Sequence, residues 1–99
     1  MTTVIIDGNA VKSREDIHNI FEAALKLPEW YGRNLDALYE CLTERSDSVA
    51  IILKNLPALE EAMGARYPAL LRMLYDAAEE NHRITVREDA AESGEQKGE

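Results

Sequence analysis

The chain has 99 residues, 30% of them charged, with a formal net charge of −8 and one cysteine. That length fits one small domain, near the lower size at which a single hydrophobic core suffices, and one cysteine excludes an internal disulfide. The acidic balance argues against direct nucleic-acid binding, which needs Lys and Arg patches, and the absence of a long apolar run argues against secretion and membrane spanning.

The charge divides evenly along the chain. Residues 1–87 carry fourteen acids and ten bases, and residues 88–99 carry five acids and Lys97. An acidic surface suits a basic partner, whose approach it would accelerate, and it equally suits plain solubility. A lone thiol fits a reducing, cytoplasmic setting.

Thr3–Ile6 is a short β-branched run that ends at the turn signal Asp7-Gly8-Asn9. Ser13 with Asp16 reads as a capping box, and Ile17, Ile20, Phe21 and Ala24 form the apolar face of the helix that follows and ends before Pro28. A second helix runs from Asn34 to about Arg45, with Ser46-Asp47-Ser48 as the break. Val49–Leu53 is apolar at every position, as in a strand covered on both faces or central in a parallel sheet. Pro57 can open a short helix, Ala58 to about Met63, which Gly64 closes. Pro68 opens a longer helix to about Asn81, with Leu70, Leu74, Ala77 and Ala78 inward. Arg83–Arg87 alternates apolar and charged residues, the pattern of an edge strand.

Residues 88–99 are acidic and lack aromatics and branched aliphatics, so a disordered tail is expected beyond a domain of residues 1–87. The order β-αα-β-αα-β implies parallel strands joined by helical crossovers, an α/β class. Right-handed crossovers place the helices on one face, in two layers, if the sheet is not doubly wound.

The most informative stretch is Leu27–Thr43, LPEWYGRNLDALYECLT. Asn34 is a good N-cap, and Leu35, Leu38 and Leu42 recur as one buried stripe. At about 100° per residue, Asp36, Glu40 and Thr43 share another face, and Tyr39 lies between the two. Trp30 and Tyr31 arrive on a loop that Gly32 lets turn sharply. Asp36 and Glu40 form a like-charge i, i+4 pair, which alone reads as an ordinary solvated face. Aromatics clustered beside the carboxylates give the composition of an interface hot spot for a cationic partner.

This stretch closely resembles the barstar family, intracellular inhibitors of secreted guanyl-specific ribonucleases. Leu27, Pro28, Glu29, Tyr31, Gly32, Asn34, Leu35, Asp36, Ala37, Leu38, Cys41, Leu42 and Thr43 match the family pattern, and the likeness extends over roughly residues 1–87. The resemblance implies a three-stranded parallel sheet packed by about four helices. It implies that an acidic residue at the position of Glu40 enters the ribonuclease's phosphate-binding pocket, with Asp36 as a second acidic contact. Trp30, Gly32, Asn34, Tyr39 and Thr43 belong to the same implied surface, and Asp76 matches a further acidic contact. The implied partner is a basic secreted or toxin ribonuclease, bound one to one, with no cofactor, metal, nucleic acid or membrane involved. Glu40 stands where the best-known member has Asp. Tyr39 replaces Trp, Trp30 replaces Tyr, and Arg33 adds a positive charge that must point away or find an acid.

Little in the chain suggests catalysis. There is no Gly-rich phosphate loop, nucleophile elbow or CxxC. His18 with Glu22 reads as a surface pair, Cys41 as a packed thiol, and Tyr31 as structural rather than contacting. Two other classes stay open: a binding module of the same fold for a different basic nuclease or another basic protein, and a carboxylate-dependent enzyme.

Overall fold

The computed structural model describes residues 1–89. Three six-residue strands, β1 (Thr2–Asp7), β2 (Val49–Lys54) and β3 (Ile84–Asp89), form one parallel sheet in the order β1-β2-β3. Between β1 and β2 lie α1 (Arg14–Leu25) and α2 (Leu35–Thr43); between β2 and β3 lie α3 (Leu56–Met63) and α4 (Tyr67–Glu80). The expected α/β class and three-stranded parallel sheet are what the chain adopts. β3 reaches Asp89, two residues beyond the expected end of the domain, and the rest of the expected tail lies outside the described residues.

The register explains the uninterrupted apolar run of β2. Val4, Ile51 and Val86 form one row across the sheet, and Thr2, Val49 and Ile84 form another; both face the helices. The alternate rows, Thr3-Ala50-Thr85 and Ile5-Ile52-Arg87, are exposed or half-buried. β2 is therefore apolar because it is central, with helices over one face only. Ile5 on the other face is 50% exposed.

The core is built from the covered face and one stripe of each helix. Val4, Ile6, Ile51 and Leu53 pack with Phe21 of α1, Leu38 and Leu42 of α2, Leu59 of α3, and Leu70, Leu74 and Ala77 of α4, all fully buried. Burying side chains of this size stabilises by about 1.5–3 kcal/mol each against an exposed reference. Gly8, at the end of β1, fits because it has no side chain. A Cβ there would overlap the carbonyl oxygen of Asn55 and lie 2.5 Å from the Leu59 amide nitrogen at the start of α3.

Several local expectations resolve differently in three dimensions. Ser13 sits at the N-cap of α1 without a side-chain cap bond; Asp16 instead accepts from the Lys12 N–H at 2.8 Å, one residue further back. His18 is not on the surface but 4% exposed, its Nδ1 2.6 Å from the Tyr31 hydroxyl. Its position beside Ile17 places it on the buried side, where the α1–α2 loop closes over it.

Candidate partner-binding surface

The loop from Lys26 to Asn34 descends from α1 and delivers the chain into α2. Lys26 caps α1 in the left-handed conformation, with φ 54°. The Tyr31 N–H then donates to the Pro28 carbonyl at 3.0 Å, closing a turn with Trp30 at its tip, 79% exposed. The sharp bend expected of Gly32 falls instead on Arg33, with φ 55°. Gly32 is small for another reason: a Cβ would lie 3.0 Å from Asn34 Nδ2, crowding the cap.

Asn34 caps α2 as expected. Its Oδ1 accepts from the Ala37 N–H at 2.8 Å, and its Nδ2 donates to the Gly32 carbonyl at 3.3 Å. Asp36 follows in the first turn, where the positive end of the helix dipole favours a carboxylate. Glu40 is exposed one turn later, and the Thr43 hydroxyl donates back to the Glu40 carbonyl at 3.2 Å.

The other end of α2 is held by Asn81, which is 9% exposed after α4. Its amide donates to the carbonyls of Leu42 and Arg45, each at 3.0 Å, and shares a longer contact of 3.3 Å with Thr43. Its Oδ1 accepts from the Arg83 N–H at 3.0 Å. Carbonyls at the C-terminal end of α2 thus gain a side-chain partner from a distant element, 38 residues away in the Thr43 contact.

A groove of about 630 Å³ runs between α2 and α4, and Asp36, Tyr39, Arg72 and Asp76 line it over a floor of Leu35 and Met73. A second concavity of about 270 Å³ lies across the start of α2, with Asn34 and Asp36 against Arg14, His18 and Arg66. Tertiary packing therefore brings Asp36, Tyr39 and Asp76 together across two helices, and Asn34 with Asp36 in the neighbouring hollow. Trp30, Gly32, Glu40 and Thr43 line neither. Among the described residues, the carboxylates of Asp36, Glu40 and Asp76 take part in no ion pair or hydrogen bond.

Arg33 behaves in the opposite way. Its guanidinium donates to Glu15 and Asn19, each at 2.8 Å, and to Glu22, all on α1. It has found its acids away from α2, and its hydrogen bond and charge lower the pKa of Glu15 in turn. His18 is held below the usual imidazole range, first by burial and then by the Arg33 charge. Burial likewise pushes the Tyr31 hydroxyl up to about 12, so the His18–Tyr31 contact is one between neutral groups at pH 7. Cys41 is half-buried, and burial with the nearby carboxylates of Glu44 and Glu40 pushes its thiol up, making it a poor nucleophile. Among the described residues, no three His, Cys, Asp or Glu side chains gather into a metal site, and no helix is long and apolar enough to cross a membrane.

Sequence reasoning required Arg33 to point away or find an acid, as it does, but missed its partners, the roles of His18 and Asn81, and the presence of Arg14, Arg66 and Arg72 beside the acids. None carries a local signal, since each acts through a partner or neighbour on a different element.

Comparison with known proteins adds two findings. Residues 1–95 match the family model described as "Barstar (barnase inhibitor)". The chain is also 36% identical over 81 residues to a protein of Bacillus subtilis (strain 168), "Putative ribonuclease inhibitor YrdF", in a match covering 81% of this chain and 89% of that protein.

Proposed function

The chain belongs to the barstar family, and from that premise we propose that it inhibits a ribonuclease by covering the enzyme's active site with the acidic face of α2 and the loop before it. The observation that carries the reading is the set of free carboxylates: Asp36 and Glu40 on α2, a helix tied at both ends, and Asp76 on α4, which shares the groove with Asp36. A ribonuclease surrounds its scissile phosphate with Arg, Lys and His, so its site is strongly positive. Carboxylates set where phosphates would lie accept charge-assisted hydrogen bonds from those groups. A capped helix holds two of them one turn apart, so little ordering remains to be done on binding. Trp30, exposed at the loop tip, supplies the large aromatic anchor typical of such contacts.

The enzyme that fits is a basic, barnase-like guanyl-specific ribonuclease, secreted or delivered as a toxin, bound one to one in the cytoplasm of the cell it would harm. The inhibitor needs no cofactor and performs no catalysis. The test is a titration of such a ribonuclease with the protein. A sharp loss of activity at one equivalent supports the reading, and undiminished activity at excess inhibitor refutes it.

One observation favours a second reading. Arg72 lines the groove between Asp36 and Asp76, and Arg14 and Arg66 line the adjoining hollow. A partner with acids interleaved among its bases would match that pattern better than a uniformly basic cleft. The same face would then serve as an immunity module against a different basic nuclease toxin, or bind another basic protein. A panel of basic nucleases separates the two.

A further inference from the structure

The α1–α2 loop sends Trp30 outward and Tyr31 inward. Tyr31 is 4% exposed and meets His18; the two rings are 5.7 Å apart, inclined at 56°. Arg33 then adopts φ 55°, a conformation that residues with a Cβ rarely take without compensation. Such a backbone persists only when its surroundings over-determine it. Here they do, because the guanidinium fork is gripped by Glu15, Asn19 and Glu22. Those three recur at i, i+4 and i+7, so they form one face over two turns of α1. The next residue is Asn34, the N-cap of α2. A single side chain therefore pins, from α1, both the turn that carries Trp30 and the start of the helix that carries Asp36 and Glu40.

We propose that Arg33 is a positioning residue for partner binding: locked onto Glu15, Asn19 and Glu22, it holds Trp30 and the first turn of α2 in the posture in which they meet the partner. The identity of the partner rests on the ribonuclease-inhibitor reading, whereas the clamp itself does not. An unpaired cation beside the acidic face would oppose a basic enzyme; paired on α1, the same charge instead stiffens the face.

The test uses the full chain and two variants. Arg33→Asn keeps a residue that tolerates the left-handed conformation but is too short to reach all three partners. The pair Glu15→Gln with Glu22→Gln leaves the loop sequence intact and weakens the grip from the α1 side. Trp30 is the chain's one tryptophan, so time-resolved fluorescence anisotropy reads its local motion directly. Kd is measured against a barnase-like guanyl-specific ribonuclease, with urea unfolding to verify that each variant is folded. Both variants are expected to free Trp30 on the nanosecond scale and to raise Kd about tenfold, the order set by re-fixing one backbone residue on binding. Combining the substitutions should cost little more than either alone.

Unchanged Trp30 motion in both variants overturns the proposal. So does tighter binding by Arg33→Asn, the result if only the lost positive charge mattered. Weaker binding by Arg33→Asn alone, with the glutamine pair binding normally, would mean that Arg33 touches the enzyme itself, which also overturns it. If the unmodified protein fails to inhibit this enzyme, the assignment of the partner fails, and the anisotropy measurement alone decides the clamp.

Discussion

Replacing Asn81 by Ala should be among the most damaging single changes outside the apolar core. The side chain supplies two N–H donors and one acceptor, and all are used: the donors by Leu42, Arg45 and, at longer range, Thr43, the acceptor by the Arg83 N–H. Each such bond contributes about 0.5–1.5 kcal/mol net, and an orphaned buried carbonyl costs about 1–3 kcal/mol. The bond to Leu42 is buried, whereas those to Thr43, Arg45 and Arg83 are partly buried and open to replacement by water. The Leu42 carbonyl keeps the Arg45 N–H at 3.3 Å, so no buried carbonyl is left wholly orphaned, and losing four partly compensated bonds gives about 2–3 kcal/mol. That is a large part of the 5–15 kcal/mol typical of a domain. The isosteric Asn81→Asp should cost more at neutral pH, since it turns a carboxylate oxygen toward three carbonyl oxygens. Urea unfolding measures both, read as a fall in midpoint at unchanged slope. A loss below about 1 kcal/mol for the alanine variant would refute the claim that Asn81 satisfies the end of α2.

Three further outcomes are expected. Asp36→Ala and Glu40→Ala should each weaken binding to the target ribonuclease severalfold or more while leaving folding intact, and the association rate of the unmodified protein should fall steeply with salt; a rate independent of salt would contradict electrostatic capture. Stability should be level above about pH 6.5 and decline below it, because the folded state holds His18 below its unfolded pKa and so takes up fewer protons than the unfolded chain in that window. One proton limits the slope to about 1.4 kcal/mol per pH unit, and His18→Gln should remove it in pH-dependent unfolding between pH 5 and 7. Gly8→Ala should destabilise by about 3 kcal/mol or prevent folding, since the new methyl group meets backbone of Asn55 and Leu59 rather than a movable side chain; thermal unfolding checks it.

The succession of strands and helices was legible because each has local causes. Asn34 announces α2 by its capping chemistry, Leu38 and Leu42 announce its buried stripe, and the unbroken run of β2 announces a strand either covered on both faces or central. Strand order and the open face of the sheet were not legible, because both depend on how the crossovers return. The acidic pair Asp36 and Glu40 could be placed on one helix face from spacing alone. Asp76 could not join them without the packing of α2 against α4, and only family resemblance singled it out. Arg33 shows the limit most clearly. Adjacent in sequence to Gly32 and Asn34, it looks like part of the acidic face, yet its partners lie 11, 14 and 18 residues earlier.

The parallel sheet carries a kinetic consequence. β1 has no partner other than β2 within the sheet, and Thr2 pairs with Val49, 47 residues later. At translation rates of about 5–20 residues per second, the nascent β1 waits roughly 2–10 seconds before its neighbour exists. Throughout that time Val4, Ile5 and Ile6 stand unpaired, with apolar side chains on both sides of the strand. α1 follows immediately and packs on β1, so the first structure to form at the ribosome should be this helix shielding the one face it can reach. Folding is then completed from the centre outward, when β2 emerges and zips β1 to it, and β3 joins only after α4 has been made.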